Sequence, residues 1–199
     1  METPEEALLL LRRETEILVS GLSGERPVHG DGRPSAAVML VGEAPGARET
    51  EEGRPFVGAA GKTLNAFLSG AGIDRSALYV TNAVKFRPTK PSPATGKKVN
   101  RPPTLREIAA LRPVLLREIE IIRPKFIVTL GNSPLKALKI RRPISEIHGQ
   151  LLLTDFGRLF PMFHPAALIY NRALTPLYEE DMGRLADLIG KEEINGREI

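Results

Sequence analysis

The sequence contains no cysteine. That absence excludes disulfides, thiolate zinc sites, cysteine nucleophiles and cysteine-ligated iron–sulfur clusters. Histidine is scarce: His29, His148 and His164 stand far apart and show no metal-ligand spacing, so neither a metal nor another cofactor is expected. No uninterrupted apolar run approaches the ~20 residues of a membrane span. The opening Met1-Glu2-Thr3-Pro4-Glu5-Glu6 is acidic where a secretory signal needs a basic start. A cytoplasmic protein with no membrane partner is therefore expected. The phosphate-cradling signatures are missing as well, since neither GxGxxG nor a P-loop occurs.

What is present suits one globular domain over residues 1–199, with 42% hydrophobic and 26% charged residues, and a monomer is the default. The net charge of +4 is mild, but its distribution is not. From Lys85 to Arg101 six cations (Lys85, Arg87, Lys90, Lys97, Lys98 and Arg101) occur without one acidic residue, among Pro88, Pro91, Pro93 and Gly96. A cationic, proline-rich loop suits a polyanion such as a nucleic-acid backbone, although a solvated surface loop has the same composition.

Thr3-Pro4-Glu5-Glu6 is a capping box that opens a helix from about Pro4 to Ser20. Residues 21–35 read as loop. Ala37 to Val41, Leu78 to Thr81 and Phe126 to Leu130 are short apolar runs that read as buried strands, with two further strands near Leu151–Leu153 and Leu159–Phe163. Gly61 to Leu68 has a helical period. Thr104-Leu105-Arg106-Glu107 caps a long helix, expected to kink at Pro113 and to end before Pro124. Pro165 starts a helical tail. Strands alternating with helices predict an α/β fold, a three-layer sandwich around a mostly parallel sheet. Ligands of such sheets bind beyond the carboxyl ends of the strands, where three polar motifs fall.

The first motif is Gly42-Glu43-Ala44-Pro45-Gly46, continuing through Glu49 to Gly53-Arg54-Pro55-Phe56-Val57-Gly58. Its glycines allow close backbone approach to a ligand, Glu43 could hold a water, and Phe56 could offer a flat face to a base. An ordinary strand-to-helix turn with a core phenylalanine fits the same residues. The second is Asn82, whose side-chain amide places a donor beside an acceptor and so can read a base edge, or else bonds its own turn. The third is His164, which ends an apolar strand before a proline and could donate to a leaving group that gains charge, or could equally be a packed or capping histidine. His29 and His148 read as surface or structural.

Together these segments resemble the uracil-DNA glycosylase superfamily, most of all its family 4 type. The similarity runs from about Asp31 to Tyr170 and rests on Gly42–Gly46, Gly53–Gly58, Thr81-Asn82-Ala83-Val84-Lys85, Leu130-Gly131 and His164-Pro165-Ala166-Ala167-Leu168. The resemblance implies a three-layer α/β/α fold, a pocket for a base flipped out of DNA, and metal-independent cleavage of its glycosidic bond. It puts Phe56 under the base, Asn82 on its polar edge and His164 near O2, with Glu43 and Glu49 in the catalytic loop. The backbone from Gly42 to Gly46, Ala44 included, would bind the base, and the cations Lys85, Arg87, Lys97, Lys98 and Arg101 would meet DNA phosphates.

Three departures from the family pattern stand out. Family 4 members hold an iron–sulfur cluster on four cysteines, two of which are matched here by Phe86 and Leu111, so apolar packing is expected to replace the cluster. The loop from Lys85 to Arg101 is longer than usual, as in a uracil-trapping group that captures the sugar on a histidine, but near that position this chain has Asn100. Ala44 stands where the family 1 motif has its water-activating aspartate, and Thr50 replaces a usual family 4 acid. The expected function is a monofunctional glycosylase acting on uracil in DNA. Two alternatives stay open at this point: a glycosylase for another deaminated base such as hypoxanthine, and a damaged-DNA binder that does not cut.

Overall fold

The computed structural model describes residues 2–195. Met1 and residues 196–199, which the expected domain includes, lie outside the described residues. A six-stranded sheet runs in the order β1-β3-β2-β6-β8-β7. Its inner strands are β3 (Tyr79–Asn82), β2 (Val38–Gly42), β6 (Phe126–Leu130) and β8 (Gly157–Met162). These four are parallel, while the edges β1 (Asp31–Gly32) and β7 (Leu152–Thr154) are antiparallel to their neighbours.

The inner strands are apolar on both faces because helices cover both. Along β2, Met39 and Val41 enter one core and Val38 and Leu40 the other. The first core is closed by α1 (Pro4–Ser23) and α4 (Leu105–Ile122) through Leu8, Leu11, Leu111 and Leu115, with α5 (Asn132–Ala137) and α6 (Ile144–Ile147) beside them. The second is closed by α3 (Ala59–Gly70), α7 (Pro165–Tyr170) and α8 (Thr175–Asn195) through Leu64, Leu168, Tyr178 and Met182. The expected three-layer α/β/α sandwich is the observed architecture.

Both capping boxes form. Thr3 accepts from the Glu6 N–H and Thr104 from the Glu107 N–H, each at 3.2 Å. The first helix extends to Ser23, three residues past the expected stop, and ends on Gly24 with a left-handed φ of 65°. Helix α4 continues through Pro113. Pro113 and Ala109 both face solvent, so the Ala109 carbonyl that lacks an N–H partner at Pro113 can meet water. Some elements were not expected from the sequence. Asp31–Gly32 forms a short edge strand within the segment read as loop, Ala47–Glu52 forms a short helix α2, and the basic loop folds back as a hairpin of β4 (Thr89–Pro91) and β5 (Lys98–Asn100). None of the described helices is long and apolar enough to cross a membrane.

Candidate active site

The carboxyl ends of β2 and β3 lie side by side, with Gly42 paired in register with Asn82. His164 follows β8 by two residues and caps α7, while Phe56 arrives from the loop between α2 and α3. These elements enclose a cleft of about 440 Å³ whose walls include Glu43, Ala44, Glu49, Phe56, Asn82 and His164. Residues scattered over more than a hundred positions of sequence thus share one cavity.

Gly42 is required by this arrangement. A Cβ there would overlap both the Asn82 side-chain oxygen and the edge of the Phe56 ring. Phe56 is buried and adopts a left-handed backbone with φ 57°, which costs an L residue roughly 1–2 kcal/mol. Its surroundings hold it there: a Cβ at Gly61 would overlap the Phe56 carbonyl, so that glycine lets α3 close against the loop. The Phe56 ring centroid lies 6.0 Å from that of His164, tilted by 34°.

Asn82 is buried, yet among the described residues nothing hydrogen-bonds its side-chain amide. Its backbone is held instead: the carbonyl accepts from Lys85 Nζ at 2.7 Å. An amide with its donor and acceptor both unspent at a cavity wall is equipped to read a ligand edge.

The protonation of His164 follows from its cap. Nδ1 accepts the Ala166 backbone N–H at 3.2 Å, so the neutral ring carries its proton on Nε2. Burial disfavours the imidazolium and holds the pKa down at about 4. At neutral pH His164 is therefore an uncharged donor.

The two glutamates differ in engagement. Glu43 is half-buried, and its Oε2 accepts from Ser133 Oγ at 2.6 Å. Glu49 is buried and accepts the Gly46 N–H on Oε2 at 3.1 Å and the Gly58 N–H on Oε1 at 2.9 Å. Its carboxylate caps the start of α2 and ties it to Gly58, the residue at which the loop that carries Phe56 enters α3. Ala44 packs partly against the first core. Thr50 Oγ1 donates to the Gly46 carbonyl at 2.9 Å, back along its own helix.

One residue assigned to DNA belongs elsewhere. Lys85 has no exposed surface and pairs with Glu118 at 2.5 Å, so it cannot meet a phosphate. It lies on the last residues before the loop turns outward, where the run of cations looked continuous in sequence. The other loop cations remain nearer the surface. Arg87 donates to Asn100 Oδ1 at 2.7 Å, Lys98 pairs with Glu25 at 2.6 Å, and Arg101 makes a two-point pair with Glu107 at 2.6 and 2.8 Å. Lys90 and Lys97 are exposed and have no ion pair among the described residues. The hairpin also brings Asn100 to the cleft wall.

The sequence reading missed Ser133, a buried hydroxyl one residue into α5, and the cleft residues Ile169 and Tyr170. The last two are 50% and 89% exposed, directly after buried Leu168. Apolar side chains that continue past the buried repeat of a helix were the available signal.

The family model described as "Uracil DNA glycosylase superfamily" matches residues 29–184. The chain belongs to this superfamily. Among its relatives is a protein named "Type-4 uracil-DNA glycosylase" from Sulfurisphaera tokodaii, 40% identical over 171 residues, which cover 81% of this chain and 74% of the relative. Proteins of the same name from Archaeoglobus fulgidus and Thermotoga maritima are 35% and 37% identical, over 83% of this chain in each case and 83% and 84% of the relatives.

The iron–sulfur cluster that the family 4 resemblance implies does not fit this superfamily member. The chain has no thiolate ligand, and Phe86 and Leu111 are buried in the first core with Ile108 and Leu115. Close-packed side chains occupy the interior there. Among the described residues no group of three or more His, Asp or Glu is placed to hold a metal ion.

Proposed function

We propose that this superfamily member excises uracil from DNA by hydrolysis of the glycosidic bond, as a monomeric single-domain enzyme of the cytoplasm acting in base excision repair. The observation that carries the proposal is the His164 cap: a neutral imidazole, with its proton on Nε2, in one cleft with an unspent asparagine amide and a buried phenylalanine.

A base inside the helical stack is out of reach, so it must be extruded, at a cost of a few kcal/mol. Phe56 then stacks on the extruded base, and the Asn82 amide meets the O4 and N3–H edge of uracil. Cytosine presents the reverse polarity, which a fixed amide rejects. When the bond from C1′ to N1 breaks, its electron pair leaves with uracil and the sugar becomes cationic. His164 Nε2–H donates to O2 as negative charge grows there; removal of a comparable preorganised donor elsewhere costs about 10²–10³ in rate. Glu43, aligned by Ser133, orients the water that adds to C1′, and the proton that water loses ends on the departing base. Glu49 keeps the loop closed around these groups.

Outside the cleft, Arg87, Lys97, Lys98 and Arg101 are assigned to the DNA backbone, and Tyr170 at the rim to the bases flanking the vacated position. The test is base release from oligonucleotides carrying uracil, cytosine or hypoxanthine. Alkali-dependent cleavage at uracil supports the proposal. Salt-sensitive binding with no cleavage on any substrate favours a protein that recognises damage without cutting.

A further inference from the structure

A lysine with no exposed surface holds the backbone of a residue that lines the cleft. Lys85 Nζ donates to Thr81 Oγ1 at 2.6 Å, to the Asn82 carbonyl at 2.7 Å and to Glu118 Oε2 at 2.5 Å. An ammonium has three donors, and all three are spent. Glu118, on α4, accepts in addition from Thr81 Oγ1 at 3.1 Å and from the Tyr79 hydroxyl at 3.4 Å. The cluster thus holds the end of β3 through Tyr79, Thr81 and the Asn82 carbonyl, while Lys85 and Glu118 are not among the cleft walls.

Stability alone is a poor reason for such a pair. Burying two charges is expensive, and well-packed apolar side chains of similar volume often serve as well or better. Geometry gives a better reason, because one of the three acceptors is the main chain of Asn82. The rest of that turn is fixed by the backbone. Ala83 N–H donates to the Gly42 carbonyl at 2.9 Å, Val84 N–H to the Glu43 carbonyl at 3.0 Å, and Val28 N–H to the Lys85 carbonyl at 2.6 Å. At Asn82 itself the carbonyl accepts from Lys85 Nζ.

We propose that Lys85, anchored by Glu118, is a positioning residue for base selection: it fixes the Asn82 backbone and so the place from which the side-chain amide meets uracil. This role rests on the proposed excision of uracil. An asparagine whose backbone can shift presents its amide off the base edge, which weakens the two-point fit to uracil and with it the margin over cytosine.

The test uses Lys85→Met and Glu118→Gln singly, and Lys85→Met with Glu118→Met, which replaces the pair by apolar side chains. Single-turnover excision and DNA dissociation constants are measured on uracil and cytosine oligonucleotides for each folded variant. A misplacement on the order of 1 Å can cost about 10² in rate. The expected result is a loss of tenfold or more in the rate at uracil, with DNA affinity within about twofold and a smaller uracil-to-cytosine ratio. Wild-type rates and ratios in the folded double variant overturn the proposal. A second readout does not need activity: the side-chain amide NMR signals of Asn82, assigned by their loss in Asn82→Asp. They should be sharp in the wild type and shifted or broadened in each variant, and unchanged signals overturn the proposal. If the wild type releases no base while those signals still respond, the positioning role stands and the uracil reading falls. Glu118→Gln is the milder change should the lysine variants fail to fold.

Discussion

The backbone N–H of Ala166 donates to Nδ1 of His164, and that one bond decides which imidazole nitrogen can act on a ligand. With Nδ1 occupied as an acceptor, only Nε2 can donate. Burial lowers the pKa from 6.5 to about 4, so the donor stays neutral across the physiological range. Base excision is expected to show no inflection near pH 6.5 from this group and to change only as pH falls toward 4. Between those values the unfolded chain binds the proton more readily than the folded one, so His164 lowers stability as pH drops from 6.5 to about 4. An imidazole titration followed by NMR checks both points. A His164 transition near 6.5, or a proton found on Nδ1, contradicts the assignment.

Gly42→Ala tests the packing of the site without removing a polar group. The added methyl would overlap Asn82 and Phe56 together. Base release is expected to fall by about 10²-fold or more, while affinity for undamaged DNA stays the same. Single-turnover rates beside binding isotherms separate the two effects.

Phe56→Ala removes the proposed stacking surface but keeps the loop. Stacking of a base on an aromatic ring is worth about 1–3 kcal/mol, so a loss of roughly 10–100-fold in excision efficiency is expected. A variant as active as the wild type would make Phe56 a core residue only.

Glu49→Ala deletes the acceptor shared by the Gly46 and Gly58 N–H groups. Hydrogen bonds to a charged group contribute about 1.5–3 kcal/mol each, so the thermal midpoint should drop by several degrees and activity should fall with it. Glu49→Gln should rescue only in part, because its NH₂ would face one of the two N–H donors. Equal stability of all three proteins, measured by calorimetry, argues against the bracing role.

Neutralising Lys97 and Lys98 should weaken DNA binding and flatten its salt dependence, by about one unit of slope for each phosphate that is no longer neutralised. Lys85→Met should leave the slope unchanged, because Lys85 lies in the interior. Dissociation constants across a salt series distinguish these variants.

The strands were legible because each inner one is a short apolar run between turn residues, and both long N-capped helices began where Thr3 and Thr104 announce them. Helix α2 was not. Its cap comes from Glu49 reaching back to the N–H of Gly46, and glycine at that position resembles a loop. The cleft residues were legible through the family pattern, but their engagement was not. That Glu49 serves two distant N–H groups, that Ser133 aligns Glu43 across ninety positions, and that Glu118 draws Lys85 inward all depend on partners brought close only by the sheet. Charge counted along a chain cannot tell a lysine that faces solvent from one that a buried carboxylate holds.

The most direct test of the account is base release by the purified protein from single- and double-stranded oligonucleotides containing uracil, run beside Asn82→Asp and His164→Ala. Strand scission at uracil after alkali, lost or greatly slowed with His164→Ala and less selective or absent with Asn82→Asp, is the predicted result. Full activity in both variants, or no release by the wild type on any uracil substrate, contradicts it.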